Sequence, residues 1–309
     1  MKRRNFIKNT AVSGITLAGI GGLVEATASE SKVSNESNFK LKYAPHLGMF
    51  PNLAGKDPID NIKFIADQGF RAIFDNGLMN KPPQLQEKIA AELARLNMDL
   101  GPFVLYADFK VESFVLQDPD IKKMLRDKMK EGIEVQKRTG AKTALVVPGR
   151  FNLKLHWDYQ TANVIDNMRM CCDIVGETGL KLVMEPLNAH TNHPGLFLTR
   201  MPQAKMICVA VNHPGCNIVD DIYHQQITEG NIIPNIDMCW DHIGAFHIGD
   251  NPGRKEPTTG EINYKNIFQH IYSKGYNGVL CCEHGKSKQG KEGELALIEA
   301  YRKVDSFEI

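Results

Sequence analysis

Two hydrophobic rhythms alternate eight times along this chain, and that alternation restricts its fold more than any other feature. Short β-rich runs occupy 41–44, 70–74, 100–105, 143–147, 182–185, 217–221, 245–248 and 278–283. Between them lie stretches with helical periodicity. Ile121, Met124, Leu125, Met129 and Ile133 share one stripe, and Val164, Ile165, Met168, Cys172 and Val175 share another. Asp57-Pro58 and Asp118-Pro119 read as an N-cap followed by a first-turn proline. Strands that alternate with helices predict a parallel sheet, because each crossover helix covers the face it leaves. Eight such units within 39–309 predict one α/β domain, a closed (β/α)8 barrel of the TIM type. No GxGxxG follows the first run, which disfavours a doubly wound dinucleotide-binding sheet.

The first 38 residues lie outside that pattern. Lys2-Arg3-Arg4-Asn5-Phe6-Ile7-Lys8 carries a twin arginine, 11–23 is weakly apolar with four glycines, and Ala26-Thr27-Ala28 offers a small-x-small cleavage site. The apolar stretch is too short to span a bilayer. The order of signals predicts a twin-arginine-type signal peptide over 1–28, a polar tether over 29–38 and an exported, periplasmic protein with no membrane anchor after cleavage. With 37 Lys+Arg against 36 Asp+Glu, the net charge of +1 gives no electrostatic case for nucleic acid. The seven cysteines form no CxxC pair, and Cys171-Cys172 and Cys281-Cys282 fall in apolar runs, as packed thiols do.

The chemistry of a barrel of this kind gathers where its strands end. Four successive runs finish in side chains able to bind metal: Glu185, Asp221 (with His224 three residues on), His247 (with Asp250 three residues on) and Glu283. A carboxylate appended to an apolar strand has no stabilising purpose, because burying an unpaired charge costs several kcal/mol. Three carboxylates and one imidazole suit one divalent ion, Mn²⁺, Mg²⁺ or Co²⁺, and suit Zn²⁺ less well.

The segments Glu185-Pro186-Leu187-Asn188, Asp221-Ile222-Tyr223-His224-Gln225-Gln226 and His247-Ile248-Gly249-Asp250-Asn251-Pro252-Gly253-Arg254 resemble the hydroxypyruvate isomerase family, within the xylose-isomerase-like barrels. The resemblance implies that Glu185, Asp221, His247 and Glu283 hold one divalent ion, that Glu185 and Glu283 are the acid–base pair, and that His224 and Arg254 hold substrate oxygens. The implied reaction interconverts a small hydroxy-aldehyde and its keto isomer through a cis-enediolate. Such chemistry needs a Lewis acid on two neighbouring oxygens and two proton carriers. Three residues depart from the family: His247, where hydroxypyruvate isomerases often carry glutamine and ketose epimerases histidine; Thr258, where glycine is usual; and His284, where strand eight usually continues with a tyrosine.

Four side chains stay open at this stage. Arg254 either grips a substrate carboxylate or pairs with Glu256 or Glu261, His224 either touches substrate or caps a helix, and His190 and His193 are loop histidines that could reach substrate. The alternatives are a ketose 3-epimerase, or an exported carbohydrate-binding or lyase-like barrel using the same ion. A DNA-repair endonuclease would need further metal ligands and a basic groove. The expected partner is a small keto-sugar or hydroxy-keto acid, with self-association left open. Residues 285–291 fit GxxxxGK, but Glu292 stands where a P-loop needs a hydroxyl.

Overall fold

The structure is a computed structural model that describes residues 39–309, so the expected signal and tether lie outside the described residues. Its strands are β1 (Lys42–Pro45), β2 (Ala72–Ile73), β3 (Asp99–Leu100), β4 (Phe103–Tyr106), β5 (Thr143–Val146), β6 (Lys181–Met184), β7 (Cys216–Asp221), β8 (Ile243–Ile248) and β9 (Val279–Cys282). The helices are α1 (Pro58–Asp67), α2 (Pro83–Arg95), α3 (Pro119–Thr139), α4 (Trp157–Gly176), α5 (Met201–Val211), α6 (Ile222–Thr228), α7 (Ile232–Cys239), α8 (Tyr264–Ser273) and α9 (Gly290–Asp305). Both expected N-caps form: Asp57 accepts from the backbone of Ile59 and Asp60, and Asp118 from that of Asp120 and Ile121. None of the described helices is long and apolar enough to cross a membrane.

Seven strands run parallel in the order β1-β9-β8-β7-β6-β5-β4, and β2 pairs with β3. Hydrogen bonds just beyond the strand ends close the ring. Phe74 N donates to Pro45 O at 3.2 Å, Leu47 N to Phe74 O at 2.9 Å, and Gly101 N to Ile73 O at 2.8 Å. The expected third strand, 100–105, is therefore two pieces, β3 and β4, interrupted at Gly101-Pro102. Proline offers no N–H for a ladder. A Cβ on Gly101 would lie 2.7 Å from Phe74 Cβ and 2.9 Å from Cys281 Sγ, so only glycine allows this close approach.

Two apolar layers hold the barrel. The larger fills the space between strands and helices, and includes Ile62, Leu125, Met168, Cys172 and Ile271. The smaller fills the barrel interior with Ala44, Ala72, Phe74, Leu145, Val183, Val219, Ala245 and Cys281. Side chains alternate across a strand, so the residue two positions after an interior one points inward again, one layer higher. Val183, Val219, Ala245 and Cys281 are followed at that spacing by Glu185, Asp221, His247 and Glu283. The inner plug and the polar cluster above it thus come from one periodicity. All seven cysteines are buried and free, Cys171 and Cys172 in α4, Cys281 and Cys282 in β9.

Candidate active site

Glu185, Asp221, His247 and Glu283 converge, each offering one ligand atom within 4.8 Å of the others. His247 Nδ1 stands 3.0 Å from Glu185 Oε1 and 2.9 Å from Glu283 Oε2. Arg254 Nη2 lies 2.8 Å from both Asp221 Oδ2 and Glu283 Oε2, and its Nε donates to Glu283 O at 3.1 Å. From the opposite side of the ring Asn76 Nδ2 donates to Glu283 Oε1 at 2.6 Å. Three carboxylates are crowded here against one permanent cation. That surplus of buried negative charge, with an imidazole completing the donor set, fits a hard or borderline divalent ion.

Their environments pull the two glutamates apart. Burial and the neighbouring Glu283 push the Glu185 carboxyl up to about 7, against the opposing pull of His247. Burial acts the same way on Glu283, but His247, Arg254 and Asn76 outweigh it and hold that carboxyl well below the usual range. Burial disfavours a charged His247, yet Glu283 and Glu185 on either side raise it well above an ordinary histidine. His224 behaves differently: burial brings it down to about 4, so the ring is neutral.

Arg254 is delivered by the loop between β8 and α8. Asp250, fully buried, accepts from Gly260 N at 2.9 Å and Ile262 N at 3.1 Å, tying the two ends of the loop together. Arg254 N donates to Asp250 O at 2.8 Å, with φ at 50°. The guanidinium lies over Tyr223, 5.0 Å from the ring centre. Neither glutamate considered from the sequence pairs with it. Glu256 accepts from the backbone and hydroxyl of Ser287, while Glu261 accepts from Asn251 at 2.6 Å and Gln226 at 3.2 Å.

His224 is both a residue of the first turn of α6 and a residue of the site. Its backbone N–H is capped by Asp221 Oδ1 at 3.1 Å, and its Nε2 lies 3.6 Å from Asp221 Oδ2, buried and without a hydrogen-bond partner. The two loop histidines separate. His190 is exposed and makes no described contact with the cluster, whereas the His193 ring lies 5.3 Å from His224 and 4.7 Å from Phe109. Sequence reasoning missed Asn76, and it quoted Asn188 without giving it a role. Neutral amides in loops carry no periodic or charge signal; the place of Asn76, two residues past the inward Phe74, is the one clue.

The architecture agrees with known proteins. A family model described as xylose isomerase-like TIM barrel matches residues 62–304, and the chain belongs to that family. It is 32% identical to the hydroxypyruvate isomerase of Escherichia coli over 184 residues, 60% of this chain and 70% of that one. It is 28% identical to the 2-oxo-tetronate isomerase of Pectobacterium atrosepticum over 237 residues, 75% of this chain and 89% of the relative. Several other curated relatives are matched over about half of their own length. Two solved structures share the barrel. The family 2 AP endonuclease of Brucella melitensis has a TM-score of 0.70 at 22% identity, covering 82% of this chain and 96% of that one. The 3-keto-D-glucoside 4-epimerase of E. coli has a TM-score of 0.69 at 18% identity, covering 86% of this chain and all of that one. At such identities these two show the fold alone. Among the described residues the four-member cluster is the one group of three or more converging side chains disposed to hold a metal ion.

Proposed function

We propose that this barrel is a divalent-metal-dependent isomerase, hydroxypyruvate isomerase-like, that interconverts a small hydroxy-aldehyde or hydroxy-keto acid with its carbonyl isomer. The observation that carries the reading is the convergence of Glu185, Asp221, His247 and Glu283 within 4.8 Å above an apolar barrel interior. Those four residues would hold the ion, Mn²⁺, Mg²⁺ or Co²⁺ by donor type. When bound, such an ion supplies Lewis-acid stabilisation of negative charge on two adjacent substrate oxygens.

The remaining chemistry falls to the chain's own groups. Glu283, held in its ionised form, takes the proton alpha to the carbonyl and leaves an enediolate. Glu185, held up at about 7, returns a proton to the neighbouring carbon, while the substrate's own hydroxyl proton passes to the former carbonyl oxygen. His224 faces a substrate oxygen through its unpartnered Nε2. Arg254 spends Nε and Nη2 on Asp221 and Glu283, so its Nη1 hydrogens are the ones left for a substrate oxygen or carboxylate. His247 at the third ligand position favours one second reading, ketose 3-epimerisation, which passes through the same enediolate. Export of the mature protein, read from 1–28, would place either activity outside the cytoplasm.

Incubation with Mn²⁺ and either hydroxypyruvate or a ketose panel in D₂O tests the proposal, with deuterium at the exchanged carbon read by NMR. Exchange should fall about 100-fold or more in both Glu185→Gln and Glu283→Gln, as expected for loss of a positioned proton carrier. Wild-type protein that binds Mn²⁺ but exchanges no substrate in the panel would overturn the isomerase reading.

A further inference from the structure

Asn188, fully buried in the loop after β6, has every hydrogen-bonding atom of its amide committed. Its Oδ1 accepts two backbone N–H groups, from Thr191 at 3.0 Å and Asn192 at 3.0 Å. Backbone amides can only donate, so the oxygen must face them and the NH₂ must face the other way. One NH₂ hydrogen goes to Asn192 Oδ1 at 2.8 Å, an oxygen that also receives the Tyr223 hydroxyl at 3.1 Å. The other points to His224 Nδ1 at 2.6 Å, and the Asn188 backbone N–H adds a second donor to the same nitrogen at 3.3 Å. Two donors converging on Nδ1 leave no room there for a hydrogen. The hydrogen of the neutral ring must then sit on Nε2, the atom that is buried beside Asp221 without a partner.

We infer that Asn188 is a positioning residue that locks His224 in the Nε2–H tautomer, making it a fixed hydrogen-bond donor to a substrate oxygen rather than a base. The catalytic consequence rests on the isomerase reading; the tautomer does not. A neutral imidazole donor is suited to polarising a carbonyl oxygen and following it to the enediolate, because it gives hydrogen-bond stabilisation without surrendering a proton. It also divides the labour at the site: proton traffic stays with the two glutamates, and oxygen recognition falls to His224. The substrate atom it selects is an acceptor, a ketone or enediolate oxygen.

Asn188→Asp is the discriminating variant, because Oδ1 keeps its two backbone donors while the group facing both His224 Nδ1 and Asn192 Oδ1 turns from donor to acceptor. In full-length protein labelled with ¹⁵N-histidine, long-range ¹H–¹⁵N spectra should show His224 as the Nε2–H tautomer in the wild type and with a hydrogen on Nδ1 in Asn188→Asp. Melting temperature and Mn²⁺ affinity report that the variant is folded. In the deuterium-exchange assay, His224→Gln, which still offers an N–H donor, should stay within about tenfold of wild type, while His224→Leu loses about 100-fold. An Nδ1–H ring in the wild type, an unchanged spectrum in Asn188→Asp, or His224→Gln as slow as His224→Leu would each overturn the inference. If no substrate exchanges at all, the spectra still decide the tautomer, and the isomerase reading fails alone.

Discussion

Thr258 stands exposed in the loop that carries Arg254, with φ at 77°, a left-handed conformation that a β-branched side chain adopts only under strain. A threonine at this position therefore has a measurable cost. Thr258→Gly should raise stability by about 1 kcal/mol and the melting midpoint by about 2–4 °C, since no buried contact is lost. Calorimetry checks this; an unchanged or lower midpoint would show that the loop does not store the strain. At the same scale, the convergence of Glu185, Asp221, His247 and Glu283 was legible in the sequence because each is a charged or ring side chain ending an apolar strand. Asn188 was not legible as a partner of His224, because the two meet only once the loop after β6 folds back against α6.

Among the elements, the third barrel strand is the informative case. Its apolar run predicted one strand, and the hydrophobic pattern is indeed continuous, but Gly101-Pro102 divides it into β3 and β4. Pattern reports which side chains are inward and says nothing of a backbone that must pass close to Phe74 and Cys281. Gly101→Ala should destabilise the barrel by about 1–3 kcal/mol through overpacking, read from denaturant midpoints. A near-neutral substitution would mean that Phe74 and Cys281 can yield. Helices were easier to read than strands. Asp57-Pro58 and Asp118-Pro119 combine a side-chain cap with a fixed φ, and α1 and α3 begin where those pairs place them.

For the whole molecule, the charge cluster links folding to pH and to the ion. Without an ion, folded Glu185 keeps its proton to about 7, whereas an unfolded glutamate loses it near pH 4.3, so the folded state binds more protons in between and stability falls as pH rises. The raised His247 adds stability that is complete below about pH 6.5 and is lost as pH climbs through its folded value. Glu283, held low, contributes in the opposite sense, and its share disappears only on strong acidification. Buried His224, held down at about 4, acts in the opposite sense below about pH 6.5, so the ion-free melting temperature should drop between about pH 6.5 and about pH 8. Saturating Mn²⁺ should reverse the slope, because ligation needs ionised carboxylates and a neutral imidazole and so releases protons. Parallel slopes with and without ion would refute the linkage.

The four candidate donors all come from one arc, the adjacent strands β6 to β9, while the opposite arc holds the divided β3–β4 strand and sends Asn76 to the cluster. A cation would rivet one side of the cylinder and leave the other to its own cohesion. Amide exchange should slow with added Mn²⁺ across β6–β9, by up to about 2.7 kcal/mol of protection at 100 times the dissociation constant, and far less along the β2–β3 seam. Equal protection on both sides would contradict this asymmetry. The looser flank, which borders the same mouth, is then where a molecule too large for the rigid side could gain room.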